Sequence, residues 1–416
     1  MTPFTFPSNH EEIKMVLTRK AAFVIGLLTI LMVVMVGTVS PIIADEEKPT
    51  IDPLQTQIAE ATSDPFTVPN GTPDELFEYL NNLAKLRPTG TDQTSIDKFR
   101  RQQANSFLQA VDKIIESPKT TEKQIAEVVY MEMTGISLLR QAGKIKKSKK
   151  ILSEFPEQLK KHNHPKAARN FKAKILTREL ADAMFSASRA QKNIEEVLKD
   201  IDAFVDEKLD QTAADLVTDV ISSLQIIYQY DMVLGICDKY GKLFIESKDP
   251  HIVLQGKLLQ GTARRLRSIG KPMKLVGKTV DGSDFKWNTY KGKVVVVMFW
   301  WNSMCVYSHE ELMNLLRLYN KYHDKGLEVV VVSMGQDFNA LKQYLKKNSM
   351  PWTFIYNGSR KPDEKSIELP NITYYGITHP QWFIVGRDGN VTYFTRSNNM
   401  VKRELRETFE PEKEKE

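Results

Sequence analysis

Two short, unbroken apolar runs constrain the fold of this 416-residue chain more than any other feature: KVVVVMFWW at 293–301 and LEVVVVSM at 327–334. Runs of this length, rich in Val and bounded by charged residues or Gly, suit strands buried on both faces. Between them, 308–325 carries Leu312, Leu315, Leu316 and Tyr319 on one helical face. Strand, helix and strand in that order make a βαβ unit, and its crossover helix begins beside Cys305. The pattern predicts a second helix over 338–347. The stretches 382–385 and 391–394 flank Gly386-Arg387-Asp388-Gly389, a hairpin signal. A last helix is expected over 401–409, followed by a charged tail at 410–416 without fixed structure.

Upstream the period is different. Residues 72–269 read as an all-α region of repeat-like layout. Thr72-Pro73-Asp74-Glu75 supplies an N-cap, a Pro at the first helical position and an acid at the third. Leu76, Leu80, Leu83 and Leu86 follow at helical spacing, and Pro88 closes the run. Further breaks fall at Pro118, Gly143, Pro165, residues 208–211 and Pro250. Helices separated by short polar turns suggest stacked hairpins of the tetratricopeptide kind, although no self-match at that period emerges. Such a region carries protein contacts more often than chemistry. The densest basic run, Lys144, Lys146, Lys147, Lys149 and Lys150, reads as a solvated helix face. No aromatic or Gly-rich recognition pattern accompanies it, so no nucleic-acid partner is expected.

The N-terminus points to a membrane. Residues 21–39 (AAFVIGLLTILMVVMVGTV) carry no charge, while Lys14, Arg19 and Lys20 precede them and Asp45, Glu46 and Glu47 follow. That length is near the minimum for a bilayer span. The charge asymmetry keeps 1–20 in the cytoplasm and sends the rest of the chain out of it. Residues 21–44 are thus a retained anchor or a cleaved signal peptide. Cleavage after Ala44 is conceivable, but Ile42 is a poor residue at position −3. The Pro-rich stretch 45–71 is expected to be a disordered linker. The folded part would then lie in the cell envelope, periplasmic or otherwise extracytoplasmic, in an oxidising compartment.

With only two cysteines, Cys237 and Cys305, the chain has neither a disulfide framework nor a Cys-rich zinc site. His162 and His164 are too few ligands for a metal, and no metal or cofactor is expected. Cys237 sits in an apolar stretch and reads as a small buried hydrophobe. Cys305 stands where a buried strand turns into a helix. There the unpaired N–H groups and the macrodipole can lower a thiol pKa. Trp301, Met304 and Tyr307 would partly shield it.

From 270 to 409 the chain resembles the thioredoxin-like domains of the TlpA and ResA group, exported thiol–disulfide oxidoreductases. Gly270-Lys271-Pro272 looks like the domain start. Val280-Asp281-Gly282 and Tyr290-Lys291-Gly292-Lys293 resemble the hairpin before the central strand. Trp300-Trp301-Asn302-Ser303-Met304-Cys305 stands in the place of the family's FWATWC, and Glu311 in that of its CxxCrxE acid. The segment from Tyr375 to Val385 resembles "ygv.g.Pt.flid", and Gly386 to Val391 its "rdG.v" turn. The resemblance implies an α/β thioredoxin-like C-terminal domain preceded by an all-α helical-hairpin region and an N-terminal transmembrane or signal segment. It also implies that Cys305 is the attacking thiol. Pro380 is similar to the family's cis-proline, whose loop, with Thr378 and His379, would lie across from Cys305 and bind an extended substrate. Trp301 and Tyr307 are expected to border the same surface.

The departure is at the fourth motif position: Cys305-Val306-Tyr307-Ser308 has Ser where the family has its resolving Cys. Serine cannot form a disulfide, so Ser308 can only hydrogen-bond a neighbouring thiolate or fill space. Two functions stay open. One is monothiol exchange with protein thiols or disulfides, released by a second thiol from the substrate or an external reductant. The other is a redox-inactive adaptor that keeps the peptide-binding face. Cys237 lies in another expected domain and is a poor candidate to resolve Cys305. A peroxiredoxin reading fits worst, because Asn302 and Met298 stand where that family has Thr or Ser and Pro.

Overall fold

The computed structural model describes residues 64–185, 192–301, 306–335, 337–356 and 370–411, those at 306–308 by backbone alone. It divides into two compact units, Met1–Ile194 and Glu195–Glu416. Among the described residues no helix is long and apolar enough to cross a membrane, and the apolar run at 21–39 lies outside them.

The first unit is a stack of helices: α1 (Pro73–Lys85), α2 (Gln93–Glu116), α3 (Glu122–Gln141), α4 (Ile145–Lys161) and α5 (Pro165–Phe185). α1 starts as its sequence dictates. The Thr72 hydroxyl accepts the Glu75 N–H at 3.4 Å, and the Glu75 carboxylate accepts the Thr72 N–H at 2.7 Å, a capping box. Thr121 and Gln124 repeat the device on α3. Leu76, Leu80 and Leu83 of α1 join Val111 and Ile114 of α2, Val128 of α3, and Phe155 and Phe171 in one core. Lys144, Lys146, Lys147, Lys149 and Lys150 are all exposed, the solvated face their spacing predicts.

Among the described residues, the second unit opens with four helices and continues into a sheet with its own flanking helices. The first four are α6 (Ile194–Glu207), α7 (Gln211–Ile226), α8 (Tyr230–Ile245) and α9 (Pro250–Leu266). Then follow β1 (Lys278–Thr279), β2 (Val294–Trp300), α10 (Val306–Tyr322), β3 (Leu327–Ser333), α11 (Phe338–Lys347), β4 (Thr353–Tyr356), α12 (Pro370–Tyr375), β5 (Gln381–Val385), β6 (Val391–Thr395) and α13 (Asn398–Phe409). The sheet order is β1-β4-β3-β2-β5-β6. β2, β3 and β4 run parallel, while β5 and β6 join antiparallel beyond β2.

The two Val runs thus form the central parallel pair. Every residue of β2 is buried, because both faces are covered. Val294, Val296, Met298 and Trp300 pack with Leu312 and Leu315 of α10 and Leu405 of α13. Val295, Val297 and Phe299 pack with Ile372 and Tyr375 of α12 on the other face. Burial of each such side chain is worth roughly 1.5–3 kcal/mol. Three features escape the periodicity. β4 and α12 are too short to show one, and the helical region breaks at Tyr228, between α7 and α8, with no Gly or Pro to mark it.

The helices of this unit touch the sheet domain backbone to backbone. At Gly261 on α9, an added Cβ would lie 2.2 Å from the Thr373 carbonyl oxygen and 2.3 Å from the Gly376 nitrogen. At Gly376, where φ is +59°, it would lie 2.2 Å from the Thr262 nitrogen. Both positions therefore require glycine. Gly235 on α8 has open space around its Cα instead. Gly261→Ala is expected to destabilise the protein by at least about 1–3 kcal/mol through overpacking. Gly235→Ala is expected to stabilise it by about 0.5–1 kcal/mol through helix propensity. Urea unfolding of the two variants checks this opposition in sign.

Candidate functional site

The site lies at the carboxyl ends of β2 and β3, where ligand sites of α/β sheets form. Phe299 of β2 pairs with Gln381, the first residue of β5. The segment Thr378-His379-Pro380 therefore enters the sheet beside the strand end from which Trp301 continues. Trp300 is fully buried, its ring 5.3 Å from that of Tyr344, whereas Trp301 is 47% exposed. Cys305, the expected nucleophile, lies outside the described residues. The α10 backbone begins at Val306, so Tyr307 and Ser308 stand in the first helical turn. On the same helix His309 is exposed and its Nδ1 lies 2.8 Å from the Tyr344 hydroxyl. Burial raises the pKa of Glu311, the residue in the position of the family's acid.

The loop from Gly376 to Pro380 is fixed at its base. The Ile377 N–H donates to the Ile372 carbonyl at 2.9 Å. The Gly376 carbonyl accepts from Arg265 Nη1 at 2.8 Å and from the Thr262 hydroxyl at 3.4 Å, and the same Arg265 nitrogen reaches the Tyr375 carbonyl at 3.3 Å. At the tip, Thr378 Oγ1 lies 2.9 Å from His379 Nδ1, and both residues are exposed. Among the described residues no peptide bond is cis, so the bond before Pro380 is trans, contrary to the expectation from the resemblance. Trans is the ordinary preference of an X–Pro bond, by about 0.5–1 kcal/mol. The clamp on Gly376 sets the path of the loop four residues earlier.

Two guanidinium groups set the electrostatics behind this loop. Arg265 is 2% exposed, and burial together with Arg396 holds its pKa down to about 10. Its Nη2 donates to Gln225 Oε1 at 3.1 Å, and Arg396 Nη2 donates to the same oxygen at 3.3 Å. Loss of hydration, then Arg396 and Arg265, lower the pKa of His379. The shift favours the neutral imidazole. Cys237 is fully buried on α8 and burial pushes its thiol up to about 12, the inert thiol its apolar context predicts.

Of the residues singled out in the sequence, Thr378, His379, Pro380 and Trp301 meet at one end of the sheet. Arg265, Arg396 and Gln225 were missed. Arg265 sits in Ala263-Arg264-Arg265-Leu266-Arg267, an ordinary basic helix C-terminus to the eye, and nothing in that run tells the buried arginine from its exposed neighbours. Among the described residues no group of three or more His, Cys, Asp or Glu is placed to hold a metal.

Comparison with known proteins agrees with the thioredoxin-like assignment. Residues 269–394 match the AhpC/TSA family. The chain is 28% identical over 117 residues to "Thiol-disulfide oxidoreductase ResA" of Bacillus thuringiensis subsp. konkukian and, equally, of Bacillus cereus. Each match covers 28% of this chain and 60% of the relative. A solved thiol:disulfide interchange protein from Bacteroides sp. matches at 20% identity and a TM-score of 0.28, over 34% of this chain and 88% of that one. The C-terminal region is thus a thioredoxin-like domain homologous to ResA, as its motifs indicate.

The His379 shift has a definite sign. The folded form binds the proton less tightly than the unfolded chain, where imidazole titrates near ~6.5. The residue therefore reduces stability as pH falls below that value and has no such effect at higher pH. NMR titration of the His379 ring is expected to give a midpoint below the ordinary imidazole value, and Arg396→Gln is expected to raise it. An unchanged midpoint in the variant would remove Arg396 as a cause.

Proposed function

We propose that this thioredoxin-like protein performs thiol–disulfide exchange outside the cytoplasm through the single thiol of Cys305. The observation that carries the reading is the sheet end itself. The substrate-facing loop at Thr378-His379-Pro380 and the strand leading towards Cys305 arrive side by side, as the β2–β5 register requires. Homology to a thiol–disulfide oxidoreductase over this region supports the chemistry. The charge-flanked apolar segment at 21–39 supports export or anchoring, and with it an oxidising surroundings.

In the proposed reaction the Cys305 thiolate attacks one sulfur of a substrate disulfide. A Cys305–substrate disulfide forms, the substrate S–S bond breaks, and the other substrate sulfur leaves as a thiolate. Ser308 cannot attack this mixed disulfide. Cys237 cannot either, because its thiol is buried and held protonated. Release therefore takes a thiol from the substrate or from an external reductant, and no net redox change is required when the substrate itself resolves. The step needs no metal or cofactor.

A second reading, a redox-inactive adaptor, is favoured by Ser308 and by the close seating of Gly376, at the base of the loop, on α9. A peroxide-reducing reading gains nothing from this stretch, even though the matching family is AhpC/TSA. Met298, seven positions before Cys305, is a fully buried residue of central β2 paired with Val331 and Trp382.

Mixed-disulfide trapping on the full-length protein tests the proposal. A disulfide-bonded peptide is expected to become linked to Cys305, and iodoacetamide is expected to alkylate that thiol with a midpoint below the ~8.5 of a free cysteine. Ser308→Cys is expected to turn a stable adduct into a transient one and to add insulin reductase activity. An unreactive Cys305 in the folded protein would leave the adaptor reading.

A further inference from the structure

We infer that the turn between α7 and α8, together with Arg265 and Arg396, forms a docking face for an extended polypeptide carrying an acidic side chain beside an apolar one. This deepens the thiol-exchange reading and rests on it for the identity of the partner as a substrate.

The first observation is a charge imbalance. Arg265 is 2% exposed, its Nε has no acceptor, and it meets no carboxylate among the described residues. Arg396 approaches it from β6 and shares its acceptor, the single oxygen of Gln225. Two guanidinium groups on one amide oxygen form an arrangement that a carboxylate would complete, because an Arg fork matches carboxylate geometry. Glu404 and Glu407, the acids nearest the adjoining Tyr393, already bind Arg403 at 2.9 and 3.5 Å. Arg396 is the member of the pair open to solvent, so the incoming acid would meet it first, with Arg265 adding its field from behind.

The second observation is independent of charge. Tyr228 has φ of +59°, a conformation costly for a bulky L-residue, and its ring is 66% exposed. Ile226 beside it is 55% exposed. The Tyr228 ring lies 6.0 Å from that of Tyr230, which lies 6.5 Å from Phe394 on β6. A line of apolar surface thus runs from the helical turn to the sheet, ending near Arg396 and the His379 loop. Closure of α7, with the Gln229 N–H on the Leu224 carbonyl at 3.0 Å, accounts for the positive φ but not for an aromatic side chain exposed at that position beside Ile226. That exposure fits a surface kept ready for a partner, with aromatic rings and arginine as the anchoring groups. A polypeptide fits better than a free anion, because an anion alone would leave Tyr228 and Ile226 uncovered.

The test separates docking from thiol chemistry. It uses full-length protein with Cys305→Ser and pools of cysteine-free, fluorescein-labelled decapeptides with Glu, Gln or Lys fixed at the centre among apolar and small residues. Fluorescence anisotropy is expected to show the Glu pool binding at least fivefold tighter than the Gln pool, with the Lys pool weakest. Arg396→Gln is expected to bring the Glu preference below twofold, and Arg396→Lys to retain part of it. Tyr228→Gly removes both the ring and the strain. It is expected to weaken binding of the Glu and Gln pools alike by threefold or more while the unfolding midpoint stays level or rises. Equal affinity for Glu and Gln pools, an Arg396→Gln variant that keeps the preference, or inorganic phosphate binding in place of any peptide would overturn the inference. None of these results depends on whether Cys305 reacts, so trapping can fail while docking holds, and the reverse.

Discussion

The packing of α9 against the end of α12 is the contact on which the arrangement of the candidate site depends. Gly261 and Gly376 bring two backbones within distances that no Cβ permits, and Arg265 and Thr262 then donate to carbonyls that would otherwise be buried without partners. Each unmade hydrogen bond of this kind would cost about 1–3 kcal/mol. The contact is therefore selective in two ways, by shape and by polar satisfaction. Because Gly376 is the first residue of the loop that carries Thr378, His379 and Pro380, that loop starts from a point held by a helix more than a hundred residues away in sequence. The helices of the second unit are part of the platform that presents the site.

How much of this can be read from residues alone follows from the range of the interactions. The β2–α10–β3 unit is legible because its signal is local. Continuous Val runs demand cover on both faces, and the stripe of Leu312 and Leu315 supplies one cover. The start of α1 is legible for the same reason, since a capping box needs only four consecutive residues. The motif from Tyr375 to Val385 located the loop and its place beside β2. The trans state of the His379–Pro380 bond was not legible, because the resemblance pointed to cis and the dipeptide itself favours trans by only about 0.5–1 kcal/mol. Gly261 was equally silent. A glycine inside a helical pattern reads as a mild propensity cost until the backbone it faces is known.

Arg265 shows why charged residues are the hardest to place from sequence. A basic residue in a last helical turn is usually a solvated partner of the macrodipole. Arg265 is instead on the buried face of α9, where its guanidinium meets two carbonyls and an amide oxygen. Neutral acceptors satisfy hydrogen bonds but do not cancel charge. Desolvation thus remains only partly offset, which is the reason its pKa falls to about 10 although it stays protonated at pH 7.

That residual charge bears on the choice between the two functional readings. A carboxylate placed beside Arg265 and Arg396 within the fold would neutralise the pair, but it would also occupy the position that a ligand acid could take and repel its approach. Leaving the pair uncompensated lowers stability and adds to the loss of hydration that lowers the His379 pKa. A fold gains nothing from either effect by itself. Tyr228 poses the same question in apolar terms, because the left-handed residue that closes α7 carries a ring that stays in water where glycine would serve. Both features lie on one side of the Thr378-His379-Pro380 loop, where the proposed acidic and apolar segment would offset them. Binding of that kind serves an adaptor and an exchanger equally. What divides them is whether the bound segment also presents a sulfur to Cys305.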